Sequence, residues 1–478
     1  MTRISGHAFQ RLIPSRIVVA LIVVGPCIIS LSMGYAENIL TAEGVVVTIN
    51  LVITVLLLAG LFLSARHTLA FVHVAAIWLI LIFAQIAKLS SGTIREGYYF
   101  YPVFQLSDIV VANLSIAIWL VTFAIAYLQT YRFVKFQDKR IAVIGSRTIV
   151  FAVLLAIAAL SYLYIRLGGI VATRAAFDVR FSAESTIAAH LVEYPLRAIP
   201  FYAIGVCILA FGGLAPGWRR KIMGVVTVLL VAGTVIINNP VAASRFFLGV
   251  TAIGVLYLIA LRRSRSNLPI LVILCFGVFF VLSLDFGRSS LDLQDALVNL
   301  HWSPEKVFLN DMFSTFESVP AAVRFIEEHG TTLWWQLIGN LLFFVPRSFW
   351  PEKPVGSGAF MVGSEFGSST FSNVSCAAPC EGLINFGLLG VIVLAAVLGI
   401  VLGYMDKKQT CVRSLGERPR AFTLFYAFFI GHVFFITRGD LLSPLAIIVS
   451  MSLAYIALRP FALRKAFPLL QRSRAGLP

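Results

Sequence analysis

The chain has 478 residues, of which 59% are hydrophobic and only 13% are charged. Globular domains are nearer half apolar and a quarter charged, so this composition excludes a soluble enzyme and a disordered chain. The 38 Lys and Arg exceed the 22 Asp and Glu and give a net charge of +16. Nucleic-acid-binding proteins carry such an excess on a solvated surface, which so apolar a chain lacks. We therefore expect no nucleic-acid partner.

Hydrophobic runs predict the transmembrane helices. A helix needs about 20 mostly apolar residues to cross the hydrocarbon core of a membrane. A further apolar run, residues 333–345, is too short to cross, and its Trp334 and Trp335 indicate an interfacial or re-entrant helix. The fold class is an all-α polytopic integral membrane protein, with residues 1–478 forming a single membrane domain. About twelve spans qualify, beginning near Ile17, Gly44, Leu69, Ile109, Arg147, Arg197, Ile222, Phe246, Leu268, Gly382, Ala421 and Leu441.

Charge predicts the orientation of these spans. With the N-terminus inside, the inner segments hold 25 cations and three anions, which leaves 13 cations and 19 anions outside. Short cytoplasmic loops collect Lys and Arg, so we predict that both termini are cytoplasmic. The basic N-terminal segment also fits a signal peptide cleaved near residues 34–36, but we expect an uncleaved first span.

Two predicted outer loops are long, residues 166–196 and residues 286–380, and long loops commonly carry function. Arginine suits phosphate because its planar guanidinium makes paired hydrogen bonds and stays charged. For the outer arginines as a set we expect an anionic ligand such as a lipid diphosphate. For each single one, contact with lipid head groups or an ion pair is an equal alternative. The ten outer arginines are Arg95, Arg166, Arg174, Arg180, Arg197, Arg245, Arg288, Arg324, Arg347 and Arg438.

Two of these arginines lie at the ends of spans. Arg245 begins an outer-facing helix whose N-terminus adds positive potential for an anion, although an ordinary membrane anchor explains it equally well. Arg438 and Asp440 share the short turn between the last two spans, where a salt bridge is the alternative to a ligand contact. Cys376 and Cys380 share the larger loop and could form a disulfide in an oxidising compartment. Without a nearby His they make a poor metal site.

Residues 345–385 carry the most distinctive pattern. The prolines of PRSFWPEKP exclude a regular helix, and Arg347 and Lys353 place two cations on this path. Four glycines follow and allow the chain to fold closely around a ligand. Glu381 opens the tenth span, with Asn385 one turn later on the same face. A Glu at this place usually serves as a favourable partner of the helix dipole; a general base is the alternative.

The order of these features resembles a known family. PRSFWPEKP at 346–354, the glycine-rich stretch and NFGLLG at 385–390 are similar to the oligosaccharide repeat-unit polymerases, the Wzy or O-antigen polymerase family. SRFFLG at 244–249 and RGDL at 438–441 are less specific similarities. The resemblance covers the topology throughout and is strongest over residues 311–403. It implies a GT-C-like or O-antigen ligase-like architecture with a large periplasmic loop.

What the resemblance implies is a glycosyltransferase that uses no metal and no cofactor. It moves a growing glycan from polyprenyl diphosphate onto a lipid-linked oligosaccharide repeat unit at the periplasmic face of the bacterial inner membrane, in O-antigen, capsule or exopolysaccharide biosynthesis. The implied partners are that lipid-linked oligosaccharide, membrane lipids, a chain-length regulator and a flippase. The candidate bases are Glu381, Asp311, Glu317 and His329. The candidate substrate-binding residues are Arg347 and Lys353 by motif, Arg174 and Arg180 by position and type, and Arg245, Arg438 and Asn385.

Two alternatives remain from the sequence. An O-antigen ligase, which transfers glycan to a lipid A-core acceptor, shares the topology and commonly depends on an outer histidine, for which His190, His301 and His329 qualify. A flippase or exporter of lipid-linked oligosaccharide shares the even number of spans. Transporters, however, tend to show internal repeats, charged residues in mid-span and short loops, and this chain shows none of these. We therefore expect the polymerase.

Overall fold

The computed structural model describes residues 38–64, 67–96, 103–136, 140–166, 194–211, 214, 216–237, 245–263, 273, 314–366, 375–414, 420–458 and 463–466. The predicted first and ninth spans, near Ile17 and Leu268, lie outside these residues. Asp311, Arg174 and Arg180 lie outside them too, so their predicted roles stay predictions.

Helices dominate the described residues. The long N-terminal group comprises α1 (Ala42–Ser64), α2 (Thr68–Ser90), α3 (Leu106–Phe133), α4 (Ser146–Arg166), α5 (Tyr194–Phe211), α6 (Trp218–Ile237) and α7 (Arg245–Arg263). After a 3-10 turn (Ser314–Glu317) come α8 (Ser318–His329), α9 (Trp335–Leu341), α10 (Ser357–Phe366), α11 (Ala378–Ser414), α12 (Ala421–Arg438) and α13 (Leu442–Leu458). Two short strands, β1 (Arg140–Val143) and β2 (Leu463–Ala466), pair with each other.

The long helices have the length and composition of membrane spans. Seven of them, α1, α2, α3, α4, α6, α11 and α12, are long and apolar enough to cross a membrane, and α5, α7 and α13 are shorter apolar helices. Each coincides with a predicted span. Many of their apolar side chains face outward, such as Leu56 at 67% exposed and Ile125 at 53%. The chain is therefore a helical, polytopic membrane protein; the count of twelve spans stays a prediction.

Helices α3 and α11 make the most extensive helix–helix contact of the described residues and run parallel to each other. Gly399 and Gly403 of α11 form a GxxxG pair, which lets two membrane helices approach closely. A Cβ atom at Gly399 would lie 2.7 Å from the carbonyl oxygen of Phe123, and one at Gly403 would lie 2.8 Å from that of Tyr127. Backbone-to-backbone contact of this kind leaves no room for a larger side chain.

Asp406, near the C-terminal end of α11, ties three other helices together. Its carboxylate accepts hydrogen bonds from the backbone amides of Leu69 and Ala70, at 3.1 and 3.3 Å, where α2 begins. It also accepts from the hydroxyls of Tyr127 on α3, at 2.7 Å, and Tyr426 on α12. An anion at a helix N-terminus is stabilised by the exposed amides and the helix dipole. This cluster therefore fixes one end of the bundle.

The strand pair lies at the same end of the helix bundle as Asp406. β1 follows α3 directly and β2 follows α13, and the two strands pair antiparallel with Arg140 opposite Ala466. The segment after the fourth predicted span therefore meets the segment after the twelfth. The loops that carry the distinctive sequence motifs instead meet at the opposite helix ends.

Candidate functional site

The NFGLLG motif forms a sharp bend in α11. Phe386 and Gly387 have non-helical backbone angles, and Gly387 has a positive φ of 60°, which glycine adopts without strain. The bend brings Gly382 onto Gly390, so that a Cβ atom at Gly390 would lie 2.1 Å from the carbonyl oxygen of Gly382. The tenth span is therefore not the uninterrupted helix that its apolar run from Gly382 predicts. Its first two turns form a separate short helix.

The bend frees a backbone carbonyl that a neighbouring loop then uses. The Ile384 oxygen accepts hydrogen bonds from the Thr332 amide at 2.9 Å and the Thr332 hydroxyl at 3.2 Å. Buried carbonyl groups need such partners when a helix breaks. The segment that connects α8 and α9 is thereby fixed to the bend.

Glu381 lies on the short helix before the bend and connects this helix with two other chain segments. Its side chain is fully buried. One carboxylate oxygen, Oε2, accepts the Ser357 hydroxyl at 2.8 Å where α10 begins, and the other, Oε1, accepts the Leu441 amide at 2.9 Å where α13 begins. The predicted face is confirmed, because the Asn385 side chain donates to the Glu381 carbonyl at 2.9 Å. We call Glu381, Ser357 and the 439–441 turn the carboxylate junction.

Asp440 extends the carboxylate junction towards residues 346–357, which begin with PRSFWPEKP and are called the proline-rich segment. Its carboxylate packs so closely on Gly356 that a Cβ atom there would lie 2.1 Å from Oδ2. Its Oδ1 accepts the Ser443 amide at 3.2 Å and so caps the start of α13. Burial raises the pKa of Asp440, although the hydrogen bonds from the start of α13 oppose this shift. Arg438, its partner in the predicted salt bridge or ligand contact, lies half-buried at the end of α12.

Helix α9 confirms the predicted short helix and has an inverted distribution of side chains. Trp335, Ile338 and Leu341 face outward, whereas Gln336 and Asn340 are buried. A water-facing helix shows the reverse pattern, so the outer face of α9 is suited to lipid, and its tryptophan to the interface. Helix α9 packs on α11 and α13. Helix α9 is also held to the bend, because the Leu337 backbone amide donates to Oδ1 of Asn385 at 3.1 Å.

The proline-rich segment lies across α9. A Cβ atom at Gly339 would lie 2.2 Å from Cγ of Pro354, so helix and segment are in direct contact. Lys353 donates to the carbonyl oxygens of Phe343 and Val345, the second at 3.0 Å. The ammonium group therefore holds the turn that follows α9. Burial and the nearby Arg347 lower the pKa of Lys353.

Arg347 presents its guanidinium group at the surface. Its side chain is exposed, and one guanidinium nitrogen donates to the Pro351 carbonyl at 3.4 Å. Within the described part of the chain it forms no ion pair. Two other outer arginines are committed to acids: Arg95 pairs with Glu43, and Arg324 pairs with the neighbouring Glu328 at 3.0 Å. Arg347 therefore keeps most of its five donors for a ligand.

The other predicted bases occupy different surroundings. Glu317 is buried in an ion pair with Lys88 of α2. His329 is exposed at the end of α8, where its ring stacks on Phe325 at 4.8 Å between centroids. Phe325 also contacts Phe360 of α10, at 5.8 Å, so His329 lies beside the helix that begins at the carboxylate junction. Arg245 begins α7, and its side chain lies outside what the structure describes.

A disulfide borders the carboxylate junction. Cys376 and Cys380 are bonded, a pairing that the sequence allowed but left open. The Ala377 amide between them donates to the Ser318 hydroxyl at 3.1 Å, so the disulfide-bearing turn packs on the start of α8. No group of three His, Cys, Asp or Glu side chains in the described residues is arranged to hold a metal ion.

Sequence reasoning missed several partners in this site. It identified Glu381 and Asp440 but not their contacts with Ser357 and Gly356, which lie more than 20 residues away in the chain. Gly356 and Ser357 follow Pro354 within three residues, but nothing in their spacing indicates contact with the turn between α12 and α13. Lys88 was missed because it lies inside an apolar run.

No family model, no curated protein and no solved structure matches the chain. The resemblance to the repeat-unit polymerases therefore rests on the motifs alone.

Proposed function

We propose that the chain is a membrane glycosyltransferase of the repeat-unit polymerase type. The observation that carries this proposal is the meeting of the motif segments. The proline-rich segment, the NFGLLG bend and the RGDL turn are up to about 90 residues apart in the chain. They contact one another at Glu381, Asp440 and Gly356. Motifs that carry a shared activity are expected to converge in this way.

The proposal places this site at the periplasmic face, with both termini in the cytoplasm. Three observations support the orientation. The positive-inside count puts the β1 and β2 segments on the same side, and these strands pair. The motif loops lie at the opposite helix ends from Asp406. The disulfide borders the carboxylate junction, and disulfides persist in an oxidising compartment.

The proposed chemistry transfers a glycan between two lipid carriers. A hydroxyl on the terminal sugar of the acceptor repeat unit attacks the anomeric carbon of the donor glycan. The bond between this carbon and the diphosphate oxygen breaks, polyprenyl diphosphate leaves with the bonding electrons, and the hydroxyl proton passes to a base. Arg347, with its uncommitted donors, stabilises the leaving diphosphate.

Roles for the carboxylate junction and the base follow from accessibility. Both oxygens of Glu381 are occupied in a fully buried position, so we assign it the positioning of the motif segments. Of the described candidates for the base, His329 has the accessible side chain. Histidine is the side chain that most often transfers protons as a general acid or base.

Genetic complementation tests the proposal. A strain lacking the gene should accumulate glycan of a single repeat unit, and the intact gene should restore long polymer. Arg347→Ala should fail to restore it, because losing one electrostatic stabiliser of a transition state costs about 10²–10³-fold in rate. Arg219→Ala, an exposed arginine at the start of α6, is the matched control and should restore long polymer. Membrane fractions confirm that both variants insert.

The outcomes separate the competing functions. Long polymer in the deletion strain or with Arg347→Ala contradicts the polymerase proposal. Normal polymer on the lipid carrier without transfer to lipid A-core indicates the ligase instead. Repeat units trapped on the cytoplasmic side of the membrane indicate the flippase.

A further inference from the structure

Helix α9 buries two amide side chains that have no hydrogen-bond partner. Gln336 is 0% exposed and Asn340 is 1% exposed. Both atoms of each amide, Oε1 and Nε2 of Gln336 and Oδ1 and Nδ2 of Asn340, lack a partner. Among the other buried amides of the described residues, Asn385 and Asn113 make several hydrogen bonds. Asn50 and Gln409 each leave one atom unpaired and use the other. Gln336 and Asn340 are therefore the described buried amides in which neither atom is paired. Buried polar groups in proteins are nearly always paired, so this pair of exceptions needs a cause.

The two amides lie on the helix against which the proline-rich segment packs. They lie one helical turn apart and therefore share one face of α9. Gly339 lies on the same face and contacts Pro354. Gly356, two residues after Pro354, contacts Asp440. The Ser357 hydroxyl then donates to the carboxylate of Glu381. The amides therefore lie on the helix that the proline-rich segment contacts, beside the residue that makes this contact.

The chemistry of the four atoms limits what can satisfy them. Each amide offers donors on its nitrogen and an acceptor on its oxygen. A diphosphate has acceptors only and would leave both amide oxygens without a partner. A ligand with hydroxyl groups supplies a donor and an acceptor at each position and satisfies all four atoms. Pockets fix neutral ligands through a few polar groups of this kind in apolar surroundings.

We propose that Gln336 and Asn340 form a subsite for sugar hydroxyl groups, separate from the arginine that holds the diphosphate. The sugar ring lies between α9 and the 354–357 segment and replaces the contact of Gly339 with Pro354. Backbone strain at the start of α9 fits such a clamp, since Leu333 and Trp334 have positive φ values of 43° and 77°. The subsite rests on the proposed function for the identity of its ligand, the glycan chain.

A binding experiment on the full chain in detergent tests the subsite. The probes are oligosaccharides of one to three repeat units, prepared by partial acid hydrolysis of the host's own surface polysaccharide and free of lipid and phosphate. Binding is measured by the ligand-dependent shift of the thermal midpoint. We expect the wild type and Arg347→Ala to bind with the same Kd, because the probe carries no diphosphate. The double variant Gln336→Leu/Asn340→Leu should bind at least 10-fold more weakly.

Stability without ligand separates this role from a structural one. Replacing an unpaired buried amide by an apolar group of similar shape is neutral or stabilising, so the double variant should unfold at the same temperature as the wild type or higher. Asn340→Asp, which keeps the shape and removes the donors, serves as a second variant and should also bind more weakly. Wild-type affinity in both variants overturns the proposal and assigns the amides to buried water only. Failure of the polymerase proposal appears elsewhere, as long polymer in the deletion strain.

Discussion

Glu381 accepts hydrogen bonds from Ser357 and Leu441 on its two oxygens and has no exposed surface. A general base needs an oxygen within reach of the substrate proton. Glu381 would have to release either the start of α10 or the start of α13 to provide one. The family resemblance makes Glu381 a candidate base, whereas its hydrogen bonds assign it the positioning of three chain segments.

Substitution of Glu381 distinguishes these two roles. Glu381→Ala leaves a buried hydroxyl and a buried amide without an acceptor, at a cost of about 1–3 kcal/mol each, and should lower the thermal midpoint and abolish polymer. Glu381→Gln keeps an acceptor for Leu441, and the Ser357 hydroxyl can accept from its new NH2 group. It should therefore retain stability and polymer length, as measured by thermal unfolding and gel analysis. A stable Glu381→Gln protein that makes no polymer would identify Glu381 as the base.

Asp440 makes stability depend on pH. Its pKa is raised by burial, so the folded chain holds a proton above about pH 4, where the carboxyl of an unfolded chain releases it. The free energy of unfolding therefore decreases as pH rises through this window. Asp440→Asn retains an acceptor for Ser443 and removes the titration. The thermal midpoint of the wild type relative to this variant should fall as the pH rises above about 4. A difference that stays constant with pH contradicts the assignment.

The bend in α11 positions Glu381 and Asn385 outside the long part of the helix. Sequence patterns predicted the ten long or shorter apolar helices of the described residues, because each is a continuous apolar run. They did not predict the bend, since glycine is common in membrane helices and NFGLLG keeps the run apolar. What identifies the bend is the positive φ of Gly387 and the contact of Gly382 with Gly390, and both depend on the tertiary fold.

Gly390→Ala tests the bend. Its Cβ atom would meet the Gly382 carbonyl at 2.1 Å, and the neighbour is backbone that cannot move aside. Overpacking typically costs about 1–3 kcal/mol, so the variant should show a lower thermal midpoint and lose polymer. Gly60→Ala in α1 is the matched control, because nothing lies within 4 Å of its added methyl group. It should be as stable as the wild type or more so. Equal stability of Gly390→Ala and Gly60→Ala would contradict the bend.

The whole chain combines two charge patterns that the total of +16 conceals. The excess of cations predicted for the inner segments sets the orientation, and the arginines left outside were expected to hold an anion. The structure divides the second group, because Arg95 and Arg324 are committed to acids and Arg347 is not. Sequence alone could not make this division, since ion pairs such as Arg95 with Glu43 join residues about 50 positions apart.

Likewise, the sequence predicted the segments of the site but not its internal contacts. The proline-rich segment, Glu381 and the RGDL turn were identified by residue type and order. Their meeting depends on three loops converging at one end of the bundle, which apolar runs and charge counts do not specify. Lys353 illustrates the difference: by motif it is a ligand-binding cation, and in the structure it holds the carbonyl groups of the turn after α9.

Reconstitution of the purified chain tests the polymerase proposal most directly. The wild type is incorporated into liposomes with polyprenyl-diphosphate-linked repeat units from the deletion strain, without any nucleotide sugar, and the glycan products are separated by size. We predict a ladder of products with two or more repeat units, with one polyprenyl diphosphate released for each bond formed, and no ladder with Arg347→Ala. Repeat units that remain single in the presence of inserted wild-type protein would contradict the proposal.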